Sequence, residues 1–144
     1  MTQDPLPNLA FANNAGQILE DAAEFLRIEW SSQPRGPGDV HSLFDHLLGA
    51  LQRRGWSRVL VNQIGMAPFT PDEQQWVAHD WLPRAVQAGG YRHGAIIVSP
   101  DVFVRLATTF VTSKVQELAL IYRTFNFEAE AVRWLLEQPC TPQE

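Results

Sequence analysis

The side chains with the means to do chemistry are four histidines, His41, His46, His79 and His93, one cysteine, Cys140, and a scatter of carboxylates. A metal site needs several Cys, His or carboxylate ligands converging at short spacings. His41 and Asp45 stand one helical turn apart, but His46 is rotated away from them and neither Cys nor Glu completes a set. No metal site is expected. General acid-base catalysis would need an imidazole sharing a face with a carboxylate, and His79 beside Asp80 does not, because adjacent helical residues point in different directions. Cys140 lacks the His and Asn context of a cysteine nucleophile. Gly89-Gly90 and Gly94 do not follow a strand and open a helix, as a nucleotide fingerprint requires, and read as turn glycines. The chain therefore reads as a non-enzyme with no cofactor.

Binding is the other chemistry open to it. Ligands of open α/β sheets gather beyond the carboxyl ends of parallel strands. That edge should carry Asn62, Gln63, Ser99, Asp101, Arg123 and Thr124, which could line a pocket for a small molecule or lipid. Loop and cap hydrogen bonding would use the same residue types.

The elements that must position these groups follow from spacing. Residues 1–8 read as a flexible terminus, residues 9–138 as a single domain and residues 139–144 as a C-terminal tail. A first strand is expected near Leu9 to Asn13, a turn at Asn13 to Gly16, and extended segments at Ile18 to Glu20 and Glu24 to Trp30. Leu26, Ile28 and Trp30 alternate with Arg27 and Glu29, as in a strand buried on one face. Val40, Leu43, Phe44, Leu47, Leu48 and Leu51 form one stripe at helical period, with Asp39 as the expected N-cap and Gly55 as the stop. Val59 to Val61 reads as an interior strand. Thr70-Pro71-Asp72-Glu73 is a capping box with proline at the first helical position. Ala95 to Val98 is the next strand, and Asp101 precedes a helix carrying Val102, Phe103, Leu106, Ala107 and Phe110. Leu118 to Phe125 is the last strand, and Asn126 is the expected cap of a helix running to about Gln138. The fold class is α/β: antiparallel strands first, parallel βαβ units after, and about four helices.

Composition narrows the partners. The chain has 144 residues, enough at about 150 residues for a domain to bury roughly two thirds of its unfolded surface. Sixteen acidic against 11 basic residues give a net charge of −5, which argues against phosphate neutralisation and nucleic acid. Arg53, Arg54 and Arg58 are the nearest approach to a basic patch, and the first two suit the last turn of a helix. A lone cysteine fits a reducing compartment. No leader and no apolar run of roughly 20 residues is evident, so a cytoplasmic protein without a membrane span is expected.

The segment Val59 to Gln87, with its strand, Asn-Gln, FTPDEQQW and WLPRA, resembles the SpoIIAA-like branch of the bacterial STAS superfamily. So do PDVFVRL at Pro100 to Leu106, YRTF in the last strand and a closing helix ending WLLEQ. The likeness covers residues 9–138. It implies a mixed sheet, antiparallel at its start, with packed helices, and little chemistry, because many members have no assigned activity. Signalling members of the superfamily carry a phosphorylated Ser or Thr near the helix after a central strand. The only hydroxyl from Asn62 to Thr70 is that of Thr70 itself, whose capping box accounts for it.

On a helical wheel Trp76 falls with Glu73, Asp80, Pro83, Arg84 and Gln87, opposite Val77, Ala78, Trp81, Leu82, Ala85 and Ala88. Pro83 should bend the helix. A tryptophan on the wet face beside arginine is a typical interface anchor. The leading expectation is an interaction or regulatory module that binds a protein partner, or itself as a homodimer, through Phe69, Trp76, Asp80 and Arg84. The alternative is a small-molecule or lipid carrier using the strand-edge pocket.

Overall fold

The computed structural model describes residues 6–142. Six strands form one sheet in chain order: β1 Asn8–Ala12, β2 Gly16–Asp21, β3 Phe25–Trp30, β4 Arg58–Asn62, β5 His93–Ile97 and β6 Ile121–Phe125. The pairs β1–β2 and β2–β3 are antiparallel, and β3–β4, β4–β5 and β5–β6 are parallel. The architecture is the mixed α/β sheet that the pattern of elements implied.

Helix α1, Asp39–Arg54, buries all six residues of its predicted stripe and stops at Gly55 in a left-handed conformation, φ 68°. Its N-cap differs from expectation. Gly38, with φ 82°, takes that place, and the Asp39 carboxylate instead turns back to accept from the Gly36 amide at 2.7 Å. The next helical run is broken in the middle: α2 Pro71–Trp76, a π-helical turn Val77–Trp81, then α3 Leu82–Gln87. Proline has no amide to give and crowds the preceding turn. The helix meets Pro83 by widening just before it, so that Leu82 donates to Val77, five residues back. α4, Val102–Ser113, continues into a short 3-10 turn at Lys114–Glu117, which delays β6 to Ile121. α5 is Glu128–Leu136, with Phe127 rather than Asn126 at its N-cap position.

Strand alternation sorts the side chains into two cores. Leu26, Ile28, Val59 and Trp30 join α1, the α2–α3 run and α4 in the larger one. Leu60, Ala95, Ile97 and Phe25 join Ala131 and Leu135 of α5 in the smaller, on the other face. Gly94 lies inside β5 and is not a turn glycine: a Cβ there would collide with Tyr122 and the Tyr91 hydroxyl, so glycine leaves room for two rings. The expected tail is tied down where it is described, since Ser57 donates to the carbonyls of Pro139 (2.9 Å) and Cys140 (3.0 Å). At the other end, β1 begins one residue before the expected boundary. Residues 1–5 and 143–144 of the expected termini lie outside the described residues.

Candidate functional site

The expected docking face on α2 is largely closed by the protein itself. Phe69 is only 8 % exposed and meets Trp30 edge-on, with ring centroids 5.4 Å apart, so it is a core residue and offers a partner nothing. Trp76 does not stand free in solvent. It is half-buried, stacks on His41 of α1 at 3.8 Å and lies under the Arg84 guanidinium at 5.9 Å. A wheel drawn for one helix could not place His41 against it. Arg84 remains exposed but is engaged by Asp80 at 2.9 Å and Asp45 at 3.2 Å. Thr70 caps α2 as its spacing required: it accepts from the Glu73 amide at 3.1 Å while the Glu73 carboxylate accepts from the Thr70 amide at 2.8 Å. The same carboxylate holds Arg35, which also donates to the carbonyls of Ala67 and Pro68 and pins the loop before α2.

The strand-edge residues do not gather round one pocket. Asn62 accepts from the Ile64 amide at 3.0 Å, Ser99 from Asp101 at 3.0 Å and Asp101 from Phe103 at 2.8 Å, all local caps and turns. Arg123 and Thr124 are exposed, and Arg123 lies over its neighbour Phe125 at 5.4 Å. Only Ser99 of the set lines the open depression at that edge, with Ile64, Val98, Arg105 and Asn126.

Gln63 goes elsewhere. It is buried under α4, where its Nε2 donates to Thr108 Oγ1 at 2.9 Å. Its Oε1 meets no donor among the described residues. Beside it lies a cavity of about 50 Å³, walled by Phe44, Phe69, Val77, Trp81 and Ile96 among others, with Thr108, Tyr91 and Tyr122 adding hydroxyls. Val77 and Trp81 are the first and last residues of the π turn. Trp81 is fixed by an indole N–H donated to the Phe44 carbonyl at 2.7 Å. The Tyr91 and Tyr122 rings meet edge-on with centroids 5.9 Å apart, and burial pushes both phenols up, Tyr122 to about 12.

α4 presents two apolar faces and buries one. Its buried residues are Val104, Ala107, Thr108 and Val111. Of the apolar residues the sequence places on this helix, Val102, Phe103 and Leu106 are exposed, Phe103 by 67 %. With half-buried Phe110 they fall at i, i+1, i+4 and i+8, one face of the helix. Two apolar stripes on one short helix were the available signal, since a helix resting on a sheet can bury only one.

The histidines are dispersed. His46 stacks on Phe11 at 3.7 Å and lies 2.8 Å from the Ser42 carbonyl, while His79 is exposed. His93 Nδ1 is buried with no partner among the described residues, and burial, then the nearby Arg92 guanidinium, hold the imidazole below its usual value. Among the described residues no group of three His, Cys, Asp or Glu side chains is placed to hold a metal ion. No helix there is long and apolar enough to cross a membrane. A scan of protein-family models and searches of curated proteins and of solved structures return no match to the chain.

Proposed function

We propose that the chain is a non-enzymatic, STAS-like interaction or regulatory module of the bacterial cytoplasm, and that it docks a partner protein on the outer face of α4. The observation that carries this is the exposed stripe of Val102, Phe103 and Leu106 on a helix whose other side is already packed. Clustered exposed apolar side chains are characteristic of interaction surfaces, whereas single ones are commonplace. Exposed Ile64 extends the patch, because it shares the adjoining depression with Arg105.

Charge specifies the partner further. Between Val102 and Gln116 the chain has Arg105 and Lys114 and no carboxylate, within a protein of net charge −5. The complementary surface is apolar and rimmed by carboxylates. A second copy of α4 would set basic residues against basic residues, which favours a different protein over the homodimer.

The double variant Phe103→Asp/Leu106→Asp tests this, since both side chains point to solvent and the core is untouched. The expected result is a partner, identified from the source cells and purified, that binds the wild type, weakens as salt rises and ignores the variant. Equal binding to both would sink the proposal. A wild-type dimer in native mass spectrometry that the variant splits would assign the face to a second copy.

A further inference from the structure

The cavity under the π turn has a polar handle. Gln63 is 4 % exposed and lines it, one amide end committed to Thr108 and the other, Oε1, without a donor among the described residues. A buried amide oxygen left without a donor bears its full desolvation cost, and such groups are rare in folded proteins. Reversing the amide does not remove the problem, for the Thr108 hydroxyl would then donate to Oε1 and Nε2 would be left over. A hydroxyl answers either arrangement, because it both donates and accepts.

Size and walls restrict the rest of the molecule. One water needs roughly 10–15 Å³ of such space, so about 50 Å³ admits a group of a few non-hydrogen atoms. Apart from the hydroxyls of Thr108, Thr112, Tyr91 and Tyr122 the walls are aromatic and aliphatic, and they carry no charged side chain. The roof is the π turn, a distortion frequent at functional sites, and both of its end residues face the cavity. Val61, Thr112 and Tyr122 are the only half-buried members of the lining, which marks the way in beside α4.

We infer that this cavity is a binding site for a small neutral alcohol, its hydroxyl on the Gln63 amide and its carbon skeleton against Phe44, Phe69 and Trp81. The site is separate from the α4 docking face, and the two stand or fall independently.

Ethanol and xenon are the probes, titrated into isotope-labelled full-length protein while the Gln63 side-chain amide and Thr108 are followed by NMR. Ethanol should shift both signals. In Gln63→Leu its affinity should fall by about two- to tenfold, the worth of one neutral hydrogen bond, while xenon binding is not weakened. Three results would overturn the assignment. Ethanol could leave Gln63 and Thr108 unmoved, Gln63→Leu could bind ethanol as well as the wild type does, or only long-lived water could be detected at Gln63 at saturating ethanol.

Discussion

The two ends of β4 solve the same problem in opposite ways. At its start, Arg58 is 6 % exposed and has no carboxylate in contact among the described residues, yet each of its three guanidinium nitrogens finds a carbonyl. It donates to Ala23 (2.6 Å), Glu24 (3.2 Å), Leu135 (3.0 Å) and Gln138 (2.8 Å), all main-chain carbonyls. Two of these belong to the last turn of α5 and the residues just beyond it, where main-chain carbonyls and the negative end of the helix dipole stand in for a counter-ion. The other two belong to the β2–β3 turn, whose Glu24 is held at φ 68°. One side chain therefore ties a hairpin to a helix 77 residues downstream. Just past the end of the same strand Gln63 is as deeply buried but half answered, next to a cavity. A buried polar group whose every polar atom has a partner specifies structure, and one with an atom left over leaves a place for something else.

Replacement of Arg58 should give the largest effect. Arg58→Met fills a similar volume but leaves four carbonyls without their donor. A loss of about 3 kcal/mol is expected in urea unfolding. Arg58→Lys should recover only part of it, because an ammonium cannot fork to both the turn and the helix. A loss below about 1 kcal/mol for Arg58→Met would mean that the clamp is incidental and would erase the contrast.

The same kind of substitution at the other end should have the opposite sign. Gln63→Leu removes an oxygen that lacks a donor, keeps a similar volume, and leaves Thr108 free to bond the preceding turn of α4. Stability should stay level or rise by about 1 kcal/mol in the absence of ligand. A loss of about 2 kcal/mol would show that the Gln63–Thr108 bond is needed to hold α4, and that the two ends of β4 are alike.

How much of this the sequence disclosed depended on distance along the chain. The α1 stripe, the Thr70–Glu73 box and the Leu26–Ile28–Trp30 alternation are local periodicities, and the expectation of an antiparallel start followed by parallel strands rested on such patterns. The sites are not local. Arg58 read as one of three basic residues because its partners come from Ala23 and Gln138, 35 and 80 residues away. Trp76 read as exposed because His41 belongs to another helix. The cavity is a gap among side chains from several elements, which no spacing encodes, and only Pro83 hinted that the helix above it would be irregular.

The smallest expected effect lies beside Arg58, on the next strand. His93 pairs in register with Arg58 across β4 and β5, and its ring meets Trp134 edge-on at 5.8 Å. Burial first, and then Arg92, lower its affinity for a proton in the folded chain, whereas the unfolded chain binds one near 6.5. The unfolded state therefore holds more protons just below pH 6.5, so stability should fall as the pH drops through that value and level off once the folded imidazole is also charged. The shift is modest because the ring is only partly shielded from water. Replacing it by glutamine should flatten this part of the stability profile, and NMR titration of the His93 ring should give a midpoint below the ordinary imidazole value of 6.5. A midpoint at or above 6.5 would mean that a charge near His93 is welcome, and that the Arg58 end of β4 is less completely satisfied than its hydrogen bonds indicate.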